Sequence, residues 1–360
     1  MNRIEDVMAE KIFINGRFLT QHMTGVQRFA VEIAKQLVAK QDNIFIVVPD
    51  RQKIVDLTMH KKFNIVEAKG GDGHFWEQIT LPLFLKKNGS PLLINLTNTA
   101  PAFYKNQVVT HHDVTYVRYP DSYPLRFRLL YKTLTPLFFN NAKKIITVSE
   151  FSKSEIAEVY KINKSKIEVV YNAVKEDFII DTSSSKITQK NKYILAVSSQ
   201  NYHKNFHGLI KAFEHAALDY NLKIIGHKAK AFASVDLTKE NQRIEYLGRV
   251  SDEELIDLYR NASAFIFPSL YEGFGIPPLE AQACGCPVIS SKSASMKEVL
   301  RDSAIFFDPE NCADICSAMT TVLNDTDLQK DLIERGFNNV KRFSWENSAS
   351  IVLKVIEANR

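Results

Sequence analysis

Short runs rich in Val, Ile and Phe recur at residues 11–14, 44–48, 92–96, 107–110, 145–148 and 167–170, and segments of helical period lie between many of them. Apolar strands alternating with amphipathic helices, such as those predicted over residues 26–40 and 150–160, imply a parallel sheet covered by helices on both faces. The pattern lapses through residues 174–192, where Asp181-Thr-Ser-Ser-Ser has no apolar period, and this stretch reads as a linker. Strands are then predicted again at residues 193–197, 222–225, 243–247, 264–267, 287–290 and 304–307. The expected fold class is α/β, with two doubly wound, Rossmann-like domains facing each other across a cleft. In such sheets ligands bind beyond the carboxyl ends of the strands, so function is sought in the strand-to-helix loops.

The sharpest loop is Ser269-Leu-Tyr-Glu272-Gly273-Phe274-Gly275-Ile276-Pro-Pro-Leu-Glu280, directly after the strand predicted at 264–267. The prolines preset a helix start and the glycines allow a tight turn before it. Helix N-terminal amides exposed there hold a phosphate or a sugar oxygen. The carboxylates of Glu272 and Glu280 accept hydrogen bonds from vicinal hydroxyls, which suits ribose and hexose. A capped helix with solvated acids is the plainer reading of the same residues.

The spacing of two glutamates separated by seven residues, within EGFGIPPLEAQACGCPVI, resembles the signature of the retaining glycosyltransferases of family GT4, which have the GT-B fold. The likeness extends from Thr24-Gly-Val-Gln-Arg28 through Leu247-Gly-Arg-Val-Ser to Phe307-Asp-Pro. It implies that Glu272 holds the donor sugar and Glu280 the ribose, while Gly273, Phe274, Gly275 and Ile276 line the sugar and diphosphate. It divides the chain into an acceptor-side domain (1–173), the linker (174–192), a nucleotide-sugar domain (193–344) and a helix (345–360) that crosses back to the first domain.

Three further loops fit this resemblance. Ser198, Ser199, Lys204 and Asn205 follow a strand end, and Lys204 is the candidate that offsets charge on a leaving diphosphate. Relatives of this kind often add an arginine a few residues earlier, where this chain has Ser198, Ser199 and Gln200. His112 and Asp113 end another strand and match a family His-Asp pair near the reacting sugar, where histidine donates to a substrate oxygen and the acid orients it. A satisfied core histidine or a metal ligand are the alternatives. Gly25, opening a helix, lets backbone approach a phosphate, or is simply a helix-start residue.

At 360 residues, 45% hydrophobic and 24% charged, the chain is globular and long enough for two cores. Its net charge of +5 does not choose among nucleic acid, anionic lipid and a phosphorylated ligand. No run approaches the roughly 20 apolar residues of a membrane span, so a cytoplasmic location is expected. Arg126, Arg128, Lys132, Lys143 and Lys144 flank Leu129, Leu130, Tyr131, Leu134, Leu137 and Phe138. Residues 126–144 are thus a candidate helix for peripheral contact with the inner membrane face, or a core-facing helix with a solvated side. Cys284, Cys286, Cys312 and Cys316 read as reduced core thiols rather than a zinc site, and Asp325-Thr-Asp327 as a helix cap rather than a metal-binding DxD.

The resemblance therefore implies a retaining hexosyltransferase using a nucleotide-sugar donor, GDP-mannose favoured, with no metal or other cofactor. The implied acceptor is a glycan or an undecaprenyl-diphosphate-linked saccharide in bacterial polysaccharide or O-antigen synthesis, and no nucleic-acid partner is expected. The competing class is a non-catalytic nucleotide-sugar-binding scaffold or sensor of the same fold.

Overall fold

The computed structural model describes residues 11–180, 190–197, 201–226 and 241–360. Ser198 and Ser199 therefore lie outside the described residues, as does part of the predicted linker.

The first sheet has seven parallel strands in the order β3-β2-β1-β4-β5-β6-β7. These are β1 (Ile12–Asn15), β2 (Ile44–Val48), β3 (Ile65–Glu67), β4 (Leu93–Asn95), β5 (Gln107–Thr110), β6 (Lys144–Thr147) and β7 (Ile167–Val169). The second sheet is β10-β9-β8-β11-β12-β13, from β8 (Asn191–Val197), β9 (Asn221–Ile225), β10 (Ile244–Gly248), β11 (Ala262–Phe267), β12 (Val288–Ser291) and β13 (Ile305–Phe307). The central strands are buried on both faces, which is why they read as continuous apolar runs rather than alternating ones. Only β3 went unrecognised in the sequence, because its three residues, Ile-Val-Glu, carry too little pattern. Both sheets reverse direction after their first strand, β1 against β4 and β8 against β11, and a crevice opens at each such switch point.

Each helix ends where its local chemistry dictates. Asp325 accepts from the amides of Asp327 and Leu328, so it caps the helix Thr326–Val340 as its spacing predicted. Ser251 and Glu254 form a reciprocal capping box on Asp252–Asn261. The helix Trp345–Glu357 packs on Gly25–Lys40, with the rings of Trp345 and Phe29 at 6.1 Å, and Ser348 donates to the Tyr171 carbonyl at 2.7 Å.

The stretch 126–144 is not one basic helix. The helix Leu125–Asn141 stops at Ala142, whose backbone is extended, and Lys144 begins β6. Lys143 is held by the Asn359 carbonyl at 2.5 Å, and Lys144 by the Ser165 carbonyl and Glu168. The apolar positions also divide, with Phe138 buried while Leu125, Leu129 and Leu137 face solvent. All four cysteines are free; Cys284 and Cys286 are buried, and Cys312 and Cys316 half-buried. Among the described residues no helix is long and apolar enough to cross a membrane.

Candidate active site

Loops that follow strands of both domains meet in a cavity of about 340 Å3 lined by Gly25, Arg28, His112, Asp113, Lys204, Glu272 and the segment from Gly273 to Pro277, with Glu280 behind. Ten of the sequence candidates thus come together, although Gly25 and Glu272 are far apart in the chain.

The centre is an ion pair. Lys204 Nζ lies 2.5 Å from Glu272 Oε1, with both side chains largely buried, and the Ser269 hydroxyl donates to the same oxygen at 2.9 Å. Hydroxyls fix the loop that carries Glu272. Ser291 donates to the Ser269 carbonyl at 2.6 Å, and Ser295 to the carbonyls of Glu272 and Phe274. From the other domain Ser149 and Ser152 donate to the Gly273 carbonyl at 2.6 and 3.1 Å. Sequence reasoning missed these serines, since a lone serine gives no sign of which distant carbonyl it meets.

The glycines have distinct roles. A Cβ on Gly273 would sit 2.9 Å from the Asp113 Cβ and 3.0 Å from the His112 carbonyl, so this glycine allows the two domains to touch. Gly275 has φ +93° and caps the helix Ile276–Ala283 without a side-chain hydrogen bond. Across the cavity Thr24 likewise gives no side-chain cap to Gly25–Lys40, its hydroxyl turning to Gln27. Two helix N-termini, one from each domain, thus face the same space with side-chain caps absent.

Glu280 is buried. Burial pushes its carboxyl up to about 7, against the opposing pull of Arg28. Arg28 bridges the domains through long contacts, 3.4 Å to Glu280 and 3.5 Å to Asp252. His112 is held neutral, its pKa lowered to about 4 by burial despite nearby Asp113. Its Nε2 is 3.4 Å from the Leu96 carbonyl, which only accepts, an arrangement that suits a proton on Nε2 and leaves Nδ1 to accept. Asp113 is engaged by the amide and hydroxyl of Thr115 at 2.8 and 2.5 Å, while the His112 ring is set edge-on to Phe29 at 5.0 Å.

Asn205 does not join the cavity. It adopts a left-handed conformation with φ +56°, and its buried amide donates to the Pro309 carbonyl at 2.7 Å. The side chain therefore anchors the Lys204 loop from below, so direct donor contact by this side chain is not part of the site. Among the described residues no cluster of three His, Cys, Asp or Glu side chains is arranged to hold a metal ion.

Two parallel-sheet domains with this cavity between them define a GT-B architecture, which is that of sugar-transferring enzymes. The chain matches the family models "Glycosyltransferase Family 4" over residues 23–178 and "Glycosyl transferases group 1" over residues 177–339, and it belongs to this glycosyltransferase family. It is 34% identical over 286 residues to the O-antigen chain mannosyltransferase RfbU of Salmonella typhimurium, covering 77% of this chain and 76% of that one. It is 32% identical over 268 residues to the O-antigen chain mannosyltransferase B of Escherichia coli, covering 69% and 70%. Among solved structures, Anabaena Alr3699/HepE in complex with UDP and glucose superposes with a TM-score of 0.75 at 17% identity, covering 97% of this chain and 100% of that one. The sucrose-phosphate synthase of Thermosynechococcus elongatus gives 0.72 at 16%, covering 96% and 98%. At such identities the structural likeness concerns the fold alone.

Proposed function

We propose that this glycosyltransferase moves a hexose, mannose from GDP-mannose in the favoured case, to a glycan or lipid-linked saccharide with retention of anomeric configuration and without a metal. The observation that carries the reading is the convergence of the Lys204–Glu272 pair with two helix N-termini lacking side-chain caps. A departing nucleoside diphosphate gains negative charge as the bond from its oxygen to the sugar C1 breaks. Lys204 and the amides at Gly25 and Ile276 lie where they offset that charge. The helix ends supply what an arginine before Lys204 would otherwise contribute. As Lys204 turns to the phosphate, Glu272 is released to accept from sugar hydroxyls, and His112 Nδ1 offers a second acceptor. The acceptor oxygen forms its bond to C1 on the same face, and its proton passes to the leaving phosphate oxygen.

The mannose preference and the role in surface polysaccharide synthesis rest on the O-antigen chain mannosyltransferases among the relatives. Peripheral attachment to the cytoplasmic face of the inner membrane forms part of the same proposal. Its support is the outward row of Leu125, Leu129 and Leu137 beside exposed Arg126 and Lys132.

A thermal-shift screen with GDP-mannose, UDP-glucose, UDP-N-acetylglucosamine and dTDP-rhamnose, with and without EDTA, tests the reading. One nucleotide sugar is expected to raise the melting temperature equally under both conditions and to be consumed with acceptor. A shift abolished by EDTA refutes metal independence, and binding without any product supports the scaffold alternative.

A further inference from the structure

The two helices whose first turns face the donor cavity start against each other. A Cβ on Gly25 would lie 3.7 Å from Ile276 Cδ1, so the helices Gly25–Lys40 and Ile276–Ala283 begin side by side, one from each domain. One turn into the first stands Arg28, and one turn into the second stands Glu280. Arg28 lines the cavity together with Lys204, yet the residues around it in sequence gave it no chemical role.

The position is unfavourable for a cation, and what holds it there is weak. The first turn of Gly25–Lys40 contains no acidic residue, so the guanidinium adds a full positive charge beside the positive end of the helix dipole. Its Nη1 is 3.4 Å from Glu280 Oε1 and its Nη2 3.5 Å from Asp252 Oδ1, both at the outer limit of a hydrogen bond. These two acids are its side-chain partners among the described residues. Asp252 is 40% exposed and shared with Lys175 at 3.2 Å, and burial raises the Glu280 carboxyl to about 7. Neither acid therefore grips Arg28 as a buried, bidentate carboxylate would. Asn172 lines the same cavity, is 3% exposed, and its Oδ1 has no partner among the described residues. That orphaned oxygen is an independent sign that a polar ligand completes the space.

We infer that Arg28 is a diphosphate clamp: when a nucleoside diphosphate lies between the two helix starts, the guanidinium leaves Glu280 and Asp252 and grips its phosphate oxygens from the first domain. The inference deepens the transferase reading above and rests on it. Paired phosphate oxygens match the guanidinium fork, which a single distant carboxylate oxygen does not. Helix amides contribute only partial charges, and the one charge of Lys204 falls short of that on a departing diphosphate. No other lysine or arginine lines the cavity among the described residues. Release of Glu280 from Arg28 also leaves its oxygens to the ribose hydroxyls. Because the clamp belongs to one domain and Lys204 to the other, binding the diphosphate draws the two domains together.

Titration calorimetry on the full chain tests it, with GDP, UDP and dTDP as probes. The diphosphate that the wild type binds most tightly is carried forward, and saturation-transfer NMR follows the matching nucleoside. Arg28→Gln is expected to weaken the diphosphate roughly thirtyfold, as the loss of charge-assisted hydrogen bonds does, and to leave the nucleoside unchanged. Arg28→Met keeps the apolar stem, should behave alike, and serves if the glutamine variant fails to fold. Arg28→Lys should recover part of the affinity, since lysine keeps the charge without the fork. Asp252→Asn loosens the guanidinium from one of its two acids and should bind the diphosphate at least as tightly as the wild type. Wild-type affinity for the diphosphate in both Arg28→Gln and Arg28→Met overturns the inference. So does an equal loss for diphosphate and nucleoside, or an equal loss in Asp252→Asn, which a merely structural bridge between the domains would give. Failure of all three diphosphates to bind the wild type sinks the transferase reading, whereas binding that ignores Arg28 sinks only the clamp.

Discussion

Replacing Glu280 by glutamine turns a buried acid into its neutral isostere, and its effect should depend on pH in a defined direction. The folded carboxyl is raised from 4.5 to about 7, chiefly by burial. Below 4.5 it is protonated in both folded and unfolded chains and its ionisation imposes no penalty. Between 4.5 and 7 the unfolded chain releases the proton while the folded chain keeps it, so stability is lost progressively as pH rises. That displacement corresponds to about 3 kcal/mol at 1.36 kcal/mol per tenfold change. Glu280→Gln removes this penalty, in which the opposing pull of Arg28 is already counted. The variant should therefore be about 3 kcal/mol more stable than wild type at pH 8 and within about 1 kcal/mol of it near pH 5. Paired urea melts across this range measure the difference. At pH 8, where the folded acid is ionised, the same variant should show a smaller thermal shift with nucleotide, because an amide accepts less strongly from ribose hydroxyls than a carboxylate does. A stability difference independent of pH, or one larger at pH 5 than at pH 8, would refute the assignment of a raised carboxyl.

Glu272→Ala should leave melting within a few degrees of wild type and reduce turnover by about 10²–10³-fold; near-normal turnover of the purified variant contradicts its role at the donor sugar. Gly273→Ala should hinder domain contact, because its Cβ would meet Asp113 and the His112 carbonyl at 2.9 and 3.0 Å. A loss of about 1–3 kcal/mol and a more open particle by small-angle scattering are expected, and an unchanged scattering profile argues against tight contact. Glu77→Gln leaves Arg17 without its buried partner and should cost about 3–5 kcal/mol near neutrality. Because the Glu77 carboxyl is depressed, the difference from wild type should shrink as pH falls below the ordinary carboxylate range, which denaturation at pH 7 and pH 3.5 would reveal.

The helix Gly25–Lys40, the capped helices of the second domain and all strands but one were readable from the order of residues. Their cause lies within a few positions: apolar period, Pro after Gly, Ser or Asp directly before a helical run. The donor loop was legible for the same reason, since its glycines, prolines and two glutamates lie within nine consecutive residues, 272–280. Lys204 and His112 were found as loop residues after strands, yet their partners in the fold were not. His112 Nε2 faces the carbonyl of Leu96, and Thr115 claims Asp113. Asn205 looked equivalent to Lys204 in sequence, but a left-handed backbone turns it toward Pro309.

The ring stack of residues 123–131 was visible only in part. Tyr131 was grouped with Leu129 and Leu134, while the four-residue spacing of Tyr123, Phe127 and Tyr131 marks a different face of the same helix. Glu77 carried no signal, because a single acid beside Trp76 does not announce an arginine 60 positions earlier in the chain. Local sequence thus determined the family, the two sheets and the position of the donor loop, since helix and strand rules act over three or four residues. Tertiary structure alone decided which groups are buried together and that burial raises the Glu280 carboxyl. Those properties depend on desolvation and on charges brought close from 60 to more than 200 residues away, where no local pattern reaches.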